Sequence, residues 1–167
     1  MASMKEILPP CGLYRTTKPL PEHEDEIPAG RLVFFHNHSD SGLPTVFTPD
    51  HNINNRWHFH GPGVPFRGMA WANSLQRLPS EGFYILRKAL EFEGGAWPKG
   101  TLVQLGYTPE GDPILFIAQV RASLEENDLW FSHQGVGITR DQAATLDAVN
   151  VYEEPLPEHS HTTGTQH

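Results

Sequence analysis

The sequence of 167 residues predicts a mainly β protein in which one small unit of about 70 residues occurs twice in tandem. Three observations support this prediction. The chain contains 15 glycines and 15 prolines, which break it into many short elements. Short apolar runs alternate with turn residues along both halves, as in β proteins. The chain also resembles itself when it is displaced by about 70 positions.

The internal similarity begins at residue 12 and extends without a gap to residue 35. Eight positions in this stretch match the residue that lies about 70 positions further on: Gly12, Tyr14, Lys18, Leu20, Pro28, Gly30, Leu32 and Val33. After small gaps, Trp57 aligns with Trp130 and Gly61-x-Gly63 with Gly135-x-Gly137. Because these matches keep the same order, we interpret them as a duplication rather than as two unrelated β segments with common turn residues.

The repeat predicts four or five short strands and one helical turn in each unit. Residues 83–92 taken alone could form a helix, but their counterparts include Pro19 and Pro21, which a helix interior does not tolerate. A capping box of Thr139 with Gln142 predicts a helical turn in the second unit. We predict the following elements: strands at Leu13–Thr17, Phe83–Leu90, Arg31–His36, Thr101–Tyr107, Pro113–Arg121, Arg56–His60, Leu129–His133 and Asn150–Glu153, and a helix over Ala143–Ala148.

Short strands with one helical turn before the last are the order expected of a small SH3-like, partly open barrel, so the architecture is similar to that fold. We divide the chain into an N-terminal segment (1–11), two barrel-like units (12–78 and 82–154) and a disordered tail (155–167). The linker between the units is short, which predicts that they pack together. One continuous barrel or sandwich built from both units is the alternative.

Composition excludes some partners and suggests a compartment. A formal net charge of −8, with only 12 Lys and Arg residues, opposes binding to the phosphates of nucleic acid. The single cysteine, Cys11, cannot form an internal disulfide, which predicts a reducing, cytoplasmic location. The first residues lack the apolar run of a signal peptide, and no stretch has the length of a membrane span, so we expect no membrane association.

The histidines are concentrated in the first unit, which contains His23, His36, His38, His51, His58 and His60. Residues i and i+2 of a strand point to the same side, so the sequence predicts two imidazole pairs, His36 with His38 and His58 with His60. If their strands are neighbours, the four imidazoles could bind a divalent transition metal such as zinc, with Asp40, Asp50 or His51 as further ligands. The alternative is that these side chains are exposed or hydrogen-bonded on a polar face.

For the other candidate residues, the sequence favours a structural role over a functional one. Trp57 and Phe59 alternate with His58 and His60, so the aromatic rings should face the core if the imidazoles face water. Cys11 would be a nucleophile only if a histidine reached it.

The sequence contains no complete catalytic constellation. It therefore predicts a non-enzymatic protein that binds another protein, as an adaptor, inhibitor or immunity protein does, without a cofactor. The binding surface would be the loop Ser39–Asn55 or a groove between the units. A metalloprotein or small metal-dependent enzyme that uses His36, His38, His58 and His60 is the competing prediction. The oligomeric state is left open.

Overall fold

The computed structural model of the protein describes residues 7–38, 42–122 and 127–152, and these residues are mainly β. The strands are β1 (Gly12–Arg15), β2 (Leu32–His36), β3 (Thr45–Phe47), β4 (His51–Ile53), β5 (Arg56–His58), β6 (Val64–Pro65), β7 (Gln76–Arg77), β8 (Gly82–Ile85), β9 (Leu90–Phe92), β10 (Gly95–Trp97), β11 (Leu102–Tyr107), β12 (Pro113–Ala122), β13 (Asn127–Phe131), β14 (Val136–Gly137) and β15 (Asp147–Ala148). Two short helices, α1 (Met69–Ala72) and α2 (Arg140–Ala144), precede β7 and β15. The described strands form several antiparallel sheets and no closed barrel.

The first half of the chain forms a five-stranded sheet in the order β6-β3-β2-β1-β7. In β2, Val33 and Phe35 are buried and Phe34 between them is less buried, as expected of a sheet with one face on a core. The buried cluster includes Tyr14, Phe35, Val46, Phe66 and Trp71. The loop after β1 and the helix α1 therefore close over one face of this sheet.

The second half forms a sheet in the order β13-β12-β11-β8-β15, with β14 paired to β12. Its core consists mainly of Val103, Leu105 and Leu115 from the central strands, with Leu86 and Leu90 from the bend after β8. The long hairpin β12–β13 extends beyond this core. Its outer end is solvent-exposed at Val120 and Leu129.

Hydrogen bonds recur at equivalent places in the two halves. In the first half, Leu78 N–H donates to Leu13 O and the Tyr14 hydroxyl donates to Pro10 O. In the second half, Val149 N–H donates to Phe83 O and the Tyr84 hydroxyl donates to Ser80 O. The central strand pairs also share their register, because Gly12 lies opposite Phe35 and Gly82 lies opposite Leu105.

The same register corrects one part of the alignment made from the sequence. Val64 lies opposite Val46, and Val136 lies opposite Leu115. Gly63 therefore corresponds to Gly135, whereas the sequence alignment paired Gly63 with Gly137. The spacing of the two glycines within each half is the same, and only the strand register distinguishes these alignments.

Several predicted boundaries also differ from the observed ones. The strand predicted at Phe83–Leu90 is two strands, β8 and β9, separated by a bend with exposed Arg87 and Lys88. The last strand is β15 at Asp147–Ala148, rather than Asn150–Glu153, and Glu153 lies outside the described residues. The capping box of Thr139 and Gln142 is present, so α2 begins directly after its cap and spans Arg140–Ala144 rather than the predicted Ala143–Ala148. The predicted tail, 155–167, also lies outside the described residues.

The hairpin β4–β5 belongs to the first half and packs on the second. The indole N–H of Trp57 donates to Tyr107 O at 2.7 Å, and Trp57 N–H donates to the Glu81 carboxylate. At the hairpin turn, the Asn55 amide donates to the Gln104 side chain and to Ser132 O. The sequence prediction for the aromatic residues is confirmed, because Trp57 and Phe59 pack on the core of the second half.

In the described part of the chain, no helix has the length and apolar character that a membrane crossing requires.

Candidate metal centre

Cys11 and His36 are brought together by the antiparallel pairing of β1 and β2. Gly12 lies opposite Phe35 in this pair, so the next position outward sets Cys11 beside His36. The Cys11 Sγ atom lies 3.5 Å from His36 Nδ1. The contact therefore depends on a strand register that joins residues 25 positions apart in the chain.

His38 completes a group of three side chains at this end of the sheet. The rings of His36 and His38 lie 4.4 Å apart between centroids. One ligand atom from each of Cys11, His36 and His38 can be chosen so that all three lie within 4.8 Å of one another. A tetrahedral zinc ion separates neighbouring sulfur and nitrogen ligands by about 3.3–3.6 Å, so small side-chain movements would bring these atoms onto one ion.

Asn37 lies between the two histidines and orients the group. Its backbone N–H donates to Cys11 Sγ at 3.3 Å, and its side-chain amide N–H donates to Pro9 O at 3.3 Å. The second bond fixes which end of the amide faces the cluster, so Asn37 Oδ1 accepts from the Cys11 thiol at 3.2 Å and from His38 Nδ1 at 2.5 Å. A proton on His38 Nδ1 leaves the Nε2 lone pair free to bind a metal.

The cluster lies at the surface and is open to solvent on one side. Cys11, His36 and Asn37 are half-buried, whereas His38 is exposed. A metal held here would have three protein ligands and room for a fourth from solvent, which is the pattern of zinc sites that bind a water or substrate. Asp40, which the sequence analysis considered as a further ligand, lies outside the described residues.

The second predicted pair, His58 with His60, belongs to a different group, on and beside the hairpin β4–β5. His51 and His58 are directly opposite each other on the two strands, and their rings stack at 4.8 Å. The His60 ring lies 5.5 Å from that of His58. Asp50 accepts from His51 Nδ1 at 3.1 Å.

Within this group, the surroundings of His58 disfavour its protonation. Loss of solvent contact, followed by the neighbouring His51, His60 and Arg56, lowers the pKa of His58. The parallel, stacked rings of His51 and His58 present their faces to each other, whereas a metal binds imidazole nitrogens in the plane of the ring. The Cys11 group therefore has the geometry closer to that of a metal centre.

The sequence predicted the pairs His36 with His38 and His58 with His60 on strands, whereas His38 and His60 lie beyond the ends of β2 and β5, and it did not include Cys11 in the site. The structure brings His36 to His38 and His58 to His60, and it puts Cys11 with the first pair and His51 with the second. Alternation along a strand could find each pair. Finding Cys11 required the register of β1 on β2, which the internal similarity of the sequence does not provide. Binding of a metal by His36, His38, His58 and His60 together stays a prediction.

A thiolate with two imidazoles suits Zn²⁺, and its sulfur also suits Cu⁺. The ligands must lose the Cys11 thiol proton and keep His36 and His38 neutral, so metal affinity would rise with pH. The backbone N–H of Asn37 would remain as a hydrogen-bond donor to the thiolate.

No protein-family model, no curated protein and no solved structure matches this chain.

Proposed function

We propose that this protein binds a divalent transition metal, with zinc as the best fit, through Cys11, His36 and His38. The single observation that carries the proposal is the convergence of one thiol and two imidazoles within 4.8 Å. Support comes from Asn37, which orients the sulfur and His38 in the way that outer-shell groups orient metal ligands. The four-histidine site predicted from the sequence is the alternative form of this proposal.

Cobalt substitution tests the proposal sharply, because Cys11 is the only cysteine in the chain. A thiolate-to-cobalt charge-transfer band in the titrated protein can therefore arise only from Cys11. We expect this band to appear and saturate at one equivalent of Co²⁺, and to disappear when Zn²⁺ is added. The untagged protein should be purified without nickel resin.

Two variants separate the competing ligand sets. The double variant His36→Ala, His38→Ala should lose the band and at least about tenfold in metal affinity. The matched double variant His58→Ala, His60→Ala should keep both. If the second variant loses metal and the first does not, the ligands are those of the hairpin. Absence of any thiolate band at saturating Co²⁺ would exclude Cys11 as a ligand.

Binding of another protein is the second candidate function, as the sequence predicted. One observation favours it: Val120 and Leu129 lie directly opposite each other on β12 and β13 and are 65% and 56% exposed. An exposed apolar pair on an outer hairpin is a suitable contact for a partner. Affinity capture from the native cell should recover a partner with the natural protein and not with Val120→Asp, Leu129→Asp. Equal recovery by both proteins would exclude this surface.

We also propose that the two halves are copies of one SH3-like unit. Support comes from the shared register, the matched hydrogen bonds and the same order of strands, with a short helix before the last strand of each half. On this proposal the features common to both halves belong to the scaffold. Cys11, His36 and His38 have no equivalents in the second half, which is what a function added to one copy would leave.

A further inference from the structure

Trp71 fills the centre of the first half. Its side chain is 6% exposed and packs edge-on against Phe66, with ring centroids 4.9 Å apart. Its indole N–H donates to Lys18 O at 3.0 Å. The ring therefore occupies an apolar space that is closed by the bend after β1 and has a hydrogen-bond acceptor at one edge.

The residue equivalent to Trp71 in the second half is Gln142. Ser74 N–H and the Ser74 hydroxyl both donate to Trp71 O, and Thr145 N–H and the Thr145 hydroxyl both donate to Gln142 O. In the next position, Leu75 N–H donates to Ala72 O, as Leu146 N–H donates to Ala143 O. These three matched pairs of hydrogen bonds support the equivalence of Trp71 with Gln142.

The Gln142 side chain does not replace the indole ring. Gln142 is exposed, and its Oε1 accepts from Thr139 N–H at 2.8 Å in the capping box of α2. The side chain is therefore turned back to the start of its own helix. Phe66 N–H donates to Pro44 O, and Ile138 N–H donates to Pro113 O in the same way, so Ile138 corresponds to Phe66. The ring that contacts Trp71 is therefore replaced by a smaller side chain.

A cavity of about 270 Å³ lies where the ring would be. Its lining includes Leu86, Leu90, Leu115, Ile138, Gln142 and Leu146. Of these, Leu90 and Leu115 correspond to Leu20 and Val46, which lie in the core with Trp71. The cavity is open to solvent on one side, and Arg87, Lys88 and Asp141 also line it. Mainly apolar pockets with a few polar groups bind small molecules in other proteins.

We propose that this cavity binds a small aromatic molecule of the size of indole that carries a ring N–H donor. In the first half, the equivalent space is filled by the ring of Trp71, which is part of the protein chain itself. The N–H donor follows from comparison with the first half, where Trp71 donates to Lys18 O, because Lys88 lies at the corresponding position and lines the cavity. Among the described residues, no hydrogen bond reaches the Lys88 carbonyl oxygen. A bound ring N–H would supply the bond that Trp71 makes in the first half.

Titration with indole, followed by amide chemical shifts, tests the proposal on the full-length protein. We expect saturable changes at one site, confined to the residues around the cavity, such as Leu90, Ile138 and Leu146. Gln142→Trp should fill the space from within and weaken indole binding at least about tenfold, without loss of thermal stability. Gln142→Glu is the matched control, because Glu keeps the capping box and leaves the space open.

Titrations with two other compounds test which chemical features of the ligand are required. Benzene lacks the N–H donor and should bind more weakly than indole. A short peptide with one tryptophan offers the same ring from another source, and binding of that peptide without binding of free indole would overturn the proposal. So would indole-induced shifts elsewhere in the protein, or equal indole affinity in Gln142→Trp and Gln142→Glu.

Discussion

Two glycines at equivalent positions lack a side chain because a neighbouring strand occupies that space. A Cβ on Gly63 would lie 2.3 Å from Thr45 Cγ2, and a Cβ on Gly135 would lie 2.2 Å from Ile114 Cγ2. In both halves an aromatic ring, Phe47 or Phe116, closes the other side at 2.7 Å. Close approach of a strand and a turn therefore explains these glycines without any unusual backbone conformation.

Alanine at either of these positions should destabilise the protein. Because the nearest atoms belong to packed side chains, Gly63→Ala and Gly135→Ala should each lower the free energy of unfolding by about 1–3 kcal/mol. Gly61→Ala and Gly137→Ala are matched controls, since a Cβ there meets nothing within 4 Å. Urea unfolding of the four variants measures the difference. Equal stability within each pair would show that the turn does not approach the strand as described.

Glu81 is a second residue whose environment has a measurable consequence, which is a raised pKa and hence a stability that depends on pH. It lies in the linker between the halves, and both carboxylate oxygens accept from Trp57 N–H, at 3.3 and 3.2 Å. Loss of solvent contact raises the pKa of Glu81 to about 7, although the Trp57 N–H and Arg56 both act to lower it. The folded protein therefore holds the Glu81 proton more tightly than the unfolded chain.

This raised pKa makes stability depend on pH. The contribution of Glu81 is fully present below the pKa of the unfolded chain, near 4.5, and is lost as pH rises through about 7. Between these limits the natural protein should lose about 1–2 kcal/mol of unfolding free energy relative to Glu81→Gln, less than the full shift implies because the carboxyl keeps part of its solvent contact. Denaturant unfolding of both proteins across this range measures the difference, and a constant difference would contradict the assignment.

At the scale of elements, the hairpin β4–β5 joins the two halves through its turn. Asn54 and Asn55 both have positive φ, at 52° and 64°, a conformation that asparagine tolerates better than most residues. The Asn55 amide also donates to Gln104 and Ser132 in the second half. Asparagine therefore suits this turn in two ways, since it tolerates the positive φ and its side chain forms the two hydrogen bonds.

Substitutions at Asn55 should separate these two contributions. Asn55→Gly keeps the positive φ without strain and loses the two side-chain hydrogen bonds, at a cost of about 1–2 kcal/mol. Asn55→Ala loses the same bonds and adds the strain of a left-handed backbone, about 1 kcal/mol more. Thermal unfolding of the two variants gives the order of stability. If Asn55→Ala were the more stable variant, this would contradict a left-handed backbone conformation at residue 55.

The elements that the sequence predicted well are those with local signals. The strands predicted at Thr101–Tyr107 and Pro113–Arg121 correspond to β11 and β12, and the capping box of Thr139 with Gln142 correctly indicated a helix near this point. The bend at Arg87 and Lys88 was missed because apolar residues continue on both sides of it. The pairing of Cys11 with His36 was missed for a different reason, since it depends on strand register rather than on any nearby pattern.

At the scale of the whole molecule, two similar sheets carry different chemistry. The first half combines a core closed by Trp71 with the Cys11, His36 and His38 cluster, and the second half has a cavity at the position equivalent to Trp71. Contacts such as Arg15 Nε to Glu110 O and Leu32 N–H to Pro109 O connect the sheets beyond the hairpin. The two candidate sites therefore lie where the two halves differ.

Zinc retention is the most direct test of the Cys11, His36 and His38 site. Native mass spectrometry of the untagged protein, loaded with Zn²⁺ and then freed of excess metal, should give one zinc per chain for the natural sequence and for His58→Ala, His60→Ala. Cys11→Ser and His36→Ala should each appear as the metal-free chain under the same conditions. Retention of one zinc by both of these variants, or a metal-free natural protein, would contradict the assignment of the Cys11, His36 and His38 cluster as a metal centre.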